Sequence, residues 1–97
     1  MLHTVNKSPY TSNTLEECAR FAVAGAPILL IEDGVYAAKS GAAFESKLAE
    51  IVKKNEVYAL EADLKARGIS NVAAGVKITN YDGFVELIEK HRMHAWV

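Results

Sequence analysis

The chain has 97 residues, 51% hydrophobic and 24% charged, and its 11 Lys+Arg against 12 Asp+Glu give a formal net charge of -1. That length accommodates one hydrophobic core, so a single domain over residues 1–97 is expected and a second independent core is excluded. The apolar share and balanced charge exclude a disordered chain, no apolar run nears the roughly 18 residues of a membrane span, and the scattered cations form no stripe for a phosphate backbone.

Apolar runs alternate with helical periods along the whole chain, the pattern of a parallel sheet covered by crossover helices. Residues 1–5 predict a first strand, stopped by Asn6-Lys7-Ser8-Pro9, where Pro9 disfavours helix at Ser8. A helix follows: Asn13 and Glu16 have capping-box spacing, Leu15, Cys18, Ala19, Ala22 and Val23 share one face, and Gly25 is placed to end it. Residues 27–31 are continuously apolar, which predicts a strand covered on both faces at or near the sheet centre. Residues 35–39 and 44–54 read as two helical pieces broken at Ser40-Gly41. Residues 57–60 are a third strand, and residues 63–67 make one or two helical turns closed by Gly68. Residues 76–79 give a fourth strand. Asn80 caps a last helix with Phe84, Leu87, Ile88 and His91 on one stripe, and residues 94–97 return as a fifth strand. The predicted fold class is α/β: a three-layer α/β/α domain with a small, mostly parallel five-stranded sheet.

Such sheets bind ligands beyond the carboxyl ends of their strands. The pocket and loop candidates are therefore Asn6, Lys7, Ser8, Asp33, Gly34 and Tyr36. Lys7, Ser8 and the start of the first helix would suit an anion, against the plainer reading of a Ser-Pro turn. No glycine-rich nucleotide fingerprint follows a strand, and His91 and His94 lack the further ligands of a metal site, so no cofactor or metal is expected. Cys18 is the one residue with nucleophilic potential. It sits about five residues past Asn13, roughly one turn too deep for the helix dipole, and on the apolar face, so a buried small side chain is the alternative to a reactive thiol.

A domain this short buries only ~60–65% of its unfolded surface, so its apolar excess implies an oligomer interface. Trp96, in an apolar Ala-Trp-Val ending, is the interface candidate; the alternative is packing against its own last helix. His3 reads as a hydrogen-bonded core residue. A lone cysteine and the absence of a signal-peptide pattern in residues 1–7 place the chain in the cytoplasm as an expectation.

Four strings carry a resemblance beyond these patterns: Leu2-His3-Thr4-Val5-Asn6-Lys7-Ser8-Pro9, Glu32-Asp33-Gly34-Val35-Tyr36-Ala37-Ala38, the run from Val57 to Gly68, and Ala95-Trp96. Together they span the chain in order, and the sequence resembles the DsrH/TusB family. The resemblance implies a DsrE/F/H-like fold. It also implies a subunit of a sulfur-relay heterohexamer with two homologous sister subunits, passing persulfide sulfur to downstream sulfur-carrier proteins. The end use would be 2-thiolation of the tRNA wobble uridine or, in the DsrH branch, dissimilatory sulfur oxidation. In that family picture the catalytic cysteine belongs to a sister subunit at the end of its third strand, and the matching position here is Leu60, which cannot carry a persulfide. The expected role is therefore structural and pocket-shaping. The alternatives are Cys18 as a sulfur acceptor, and a stand-alone small-ligand-binding domain using Lys7, Asp33 and Tyr36.

Overall fold

The computed structural model describes residues 1–97. Five strands, β1 (Leu2–Val5), β2 (Ile28–Leu30), β3 (Val57–Leu60), β4 (Val76–Thr79) and β5 (Met93–Trp96), form one sheet in the spatial order β4-β3-β2-β1-β5. Every neighbouring pair is parallel, so the sheet expected to be mostly parallel is wholly so. The crossovers hold α1 (Thr14–Phe21), α2 (Glu45–Lys54), α3 (Glu61–Ala66) and α4 (Tyr81–Lys90), with a 3-10 helix over Glu32–Ala38 ahead of α2.

The strand order dictates the layers. From β1 to β4 the chain steps in one direction across the sheet, so right-handed crossovers put α1, the 3-10 helix, α2 and α3 on the same face. The strand residues Val5, Ile28, Leu30, Val57 and Ala59 meet Leu15, Cys18, Val35, Leu48, Ile51 and Leu64 there in one core. From β4 the chain must return past the whole sheet to β5, which puts α4 on the opposite face, where Gly83, Leu87 and Lys90 share a groove with Tyr58. Covered on both sides, Ile28, Leu29 and Leu30 are fully buried, each worth roughly 1.5–3 kcal/mol of hydrophobic stabilisation. The second face has only one helix. None of the α4 residues is buried, and Ile88 of its apolar stripe is exposed.

Several local expectations change. The Asn13 side chain makes no capping bond; Ser12 Oγ instead accepts the Thr14 amide at 3.1 Å, because a short hydroxyl two residues back reaches the orphan N–H first. Helix α1 ends at Ala22 rather than running to Gly25, which leaves Val23 exposed instead of on the buried face. That exit turn is held from outside the helix: Asn55 Nδ2 donates to the carbonyls of Val23 (2.8 Å) and Ala26 (2.9 Å), and Gly25 N donates to the Lys54 carbonyl at 2.8 Å. Asn80 does cap α4, its Oδ1 accepting the Gly83 amide at 2.9 Å. Gly68, at φ 68°, closes α3 in the left-handed region.

Candidate functional site

Because all five strands are parallel, their carboxyl ends share one edge, and the loops after β1, β2 and β3 lie there. Two of these loops are braced together. Glu32, at φ 50°, turns the chain sharply off β2, and its amide donates to Asp63 Oδ2 at 2.8 Å. Arg67 Nε donates to Asp33 Oδ1 at 3.0 Å, while its Nη1 donates to the Asp63 carbonyl at 3.3 Å. The guanidinium thus bridges the start of the 3-10 helix and α3 through its Nε and Nη1.

Gly34 lets the loop after β2 press against the end of β1. A Cβ built there would lie 2.2 Å from the Val5 carbonyl oxygen, so the 3-10 helix sits directly on the end of β1. The Ile31 amide also donates to that oxygen, at 3.0 Å. None of the three surface grooves is lined by Asn6, Lys7, Ser8, Asp33, Gly34 or Tyr36.

The remaining loop candidates do not converge. Ser8 is buried and spent on its own turn: its Oγ accepts the Tyr10 amide at 3.2 Å and its carbonyl accepts the amides of Thr11 and Ser12. Lys7 is exposed, and no hydrogen bond or ion pair links it to Ser8 or to α1. Asn6 is half-buried with Oδ1 sealed and without a partner. Tyr36 packs partly buried against the core. The geometry assembles a loop brace here, not a ligand cradle, and no cluster of three or more His, Cys, Asp or Glu side chains gathers for a metal.

Cys18 is fully buried in the main core. Burial pushes its thiol up to about 12, with only a small opposing pull from Lys54, so almost none is thiolate at neutral pH. Leu60, half-buried, is the last residue of β3 and leads directly into α3.

At the other side of the sheet an aromatic cluster ties β5 down. Trp96 Nε1 donates to His3 Nδ1 at 3.1 Å, and the Trp96 ring meets that of Phe21 edge-on, centroids 5.6 Å apart. His94 joins at 5.0 Å from Trp96 and 6.1 Å from His3. Trp96, the expected interface residue, is thus largely engaged within its own domain, since its strand pairs with β1 and its ring reaches α1. Within this cluster His94 and Phe21 are exposed, and Phe21, 65% accessible, is the member sequence reading missed. Arg67 was missed too; the signal available was a cation one helical turn after Asp63.

Fold and site together define an all-parallel α/β domain with a sealed thiol and mutually braced carboxyl-edge loops. The family model described as DsrH like protein matches residues 7–94. Among curated proteins, the chain is 39% identical to Protein TusB of Serratia proteamaculans, covering 95% of each. It is 36% identical to Protein TusB of Escherichia coli K12, covering 99% of this chain and 100% of that one. The chain belongs to the DsrH-like family. Its fold is that of the YchN protein from E. coli, with a TM-score of 0.77 at 20% identity over 95% of this chain and 94% of that chain. Protein Tm0979 from Thermotoga maritima matches with a TM-score of 0.65 at 26% identity, covering 94% of each.

Proposed function

We propose that this chain acts as one domain, a non-catalytic subunit of a cytoplasmic sulfurtransferase complex. It joins two homologous sister subunits in a heterohexamer that relays persulfide sulfur, through downstream carrier proteins, towards 2-thiolation of the tRNA wobble uridine. The observation that carries the non-catalytic part is the state of its sulfur: the only thiol is buried, protonated and walled by core side chains, while Leu60 occupies the end of β3. A group that must attack and be attacked by persulfides needs an accessible thiolate, and this chain offers none. Relatives named TusB support the tRNA branch over sulfur oxidation. What the chain contributes is shape, a rigid carboxyl edge fixed by the Asp33–Arg67–Asp63 brace.

The test is reconstitution of the complex from separately purified subunits, with sulfur transfer followed by mass spectrometry. Cys18→Ala is expected to assemble and to transfer at the wild-type rate. Loss of transfer in an intact assembly would overturn the reading in favour of Cys18 as a carrier. A wild-type chain that stays monomeric beside both sisters would overturn it in favour of a stand-alone domain.

A further inference from the structure

None of residues 74–97 is buried, although β4, α4 and β5 lie among them; every buried residue belongs to the first 73. The end of the chain supplies cover but no enclosed anchor of its own, which is the condition for an element to open well before the whole domain unfolds. Strand β4 is the next neighbour of β3, whereas residues 80–97, which hold α4 and β5, return to the far edge and pair only with β1. Between that stretch and residues 1–73 there is no ion pair and one side-chain hydrogen bond, from Trp96 Nε1 to His3 Nδ1.

The acceptor of that bond is a group a proton can silence. With Nδ1 protonated, His3 would set one N–H against another, and the bond would be lost. The elements packed around the ring give the added charge no partner. From β5 the His94 ring lies 6.1 Å away, from α1 the Phe21 ring meets it edge-on at 6.2 Å, and β2 offers Ile28 in register. The charges of His94 and the Met1 amino group both oppose a proton on His3. Glu17, one turn before Phe21 on α1, makes no hydrogen bond or ion pair with either imidazole. Once β5 lifts away, His3 stands at a wet edge and takes up its proton freely. The opened state therefore binds a proton that the closed state resists, and opening gains as pH falls below the ordinary value of about 6.5.

We propose that residues 80–97 form an acid-released latch: a proton taken from solvent by His3 frees Trp96, and α4 and β5 come away together while the rest of the domain stays folded. Helix α4 leaves with the strand because no residue of its own is buried. What remains is a four-stranded sheet with β1 as an open edge, a switch between two arrangements biased by one titrating side chain. This device is independent of the sulfur-relay reading.

The test uses the full chain at about pH 7.5 and about pH 5.5, with hydrogen exchange converted to protection factors and with the fluorescence of Trp96, the one tryptophan. In the wild type, opening of residues 80–97 is expected to rise up to about tenfold over that interval, one decade for the unit below about 6.5, while α2 and β3 keep their protection. His3→Gln keeps an acceptor for the indole but takes no charge, so its opening is expected to change less than about twofold. His94→Gln is expected to retain the response. Trp96→Phe breaks the same bond from the other side and is expected to open residues 80–97 about fivefold more at neutral pH already, which keeps the proposal testable if His3→Gln does not fold. Four results overturn it: a wild type with no acid response in residues 80–97, a response spread evenly over the whole sheet, one that survives in His3→Gln and vanishes in His94→Gln, or Trp96→Phe as closed as the wild type.

Discussion

The indole N–H of Trp96 points at Nδ1 of His3 across 3.1 Å, so the last strand is bonded to the first through side chains as well as through the ladder. The bond needs a lone pair on Nδ1, and His3 must therefore be neutral with its proton on Nε2. Burial lowers the His3 pKa below 6.5, and the charges of His94 and the Met1 amino group lower it further.

That arrangement makes stability depend on pH with a definite sign. Between the folded pKa and about 6.5 the unfolded chain binds more protons than the folded one, so the contribution of His3 is complete above about 6.5 and is lost as pH falls below it. Thermal midpoints measured from pH 7.5 downward are expected to fall more steeply for wild type than for His3→Gln, which keeps an acceptor but no titrating ring. Parallel profiles would sink the assignment.

Cys18 is expected to resist alkylation in the native protein at neutral pH and to react at once in denaturant, because its thiol is sealed and pushed up to about 12. Cys18→Ala should cost about 1 kcal/mol through the small void it leaves. Cys18→Ser should cost more, about 2 kcal/mol, since an unpartnered hydroxyl replaces a soft apolar group. Chemical denaturation of the two variants gives the order.

Gly34→Ala drives a methyl group into the Val5 carbonyl, where backbone, not a flexible side chain, must yield. A loss of about 3 kcal/mol is expected in urea unfolding, at the upper end of overpacking costs. A loss under about 1 kcal/mol would mean that the 3-10 helix is free to lift off β1.

The two acids of the brace are not equal. Asp63 is the more enclosed and holds the Glu32 amide, so Asp63→Ala is expected to cost about 1–2 kcal/mol. Asp33 is 61% exposed, and Asp33→Ala should cost under about 1 kcal/mol, as for other solvated ion pairs. Urea midpoints of the two variants test the ranking.

The strands were legible because burial on both faces leaves little choice but unbroken apolar runs, as at Ile28, Leu29 and Leu30. The Asn80 cap and the Gly68 closure could also be read, since each depends on a few adjacent residues. Where contacts span the chain, sequence spacing was silent. Asn13 has the capping spacing but loses the role to Ser12. The end of α1 is fixed by Asn55, more than thirty residues away, so Val23 could not be placed. The carboxyl-edge loops were located correctly as an edge, but how closely Gly34 approaches Val5 is a distance no local pattern encodes.

The adjacency of β1 and β5 also has a mechanical meaning. Because these strands run side by side in the same direction, a pull applied between residues 1 and 97 slides one along the other and loads their shared bonds together rather than one after another. Tension of that kind meets a shear lock, whereas the same force applied across β4 and β3 at one end would unzip them step by step.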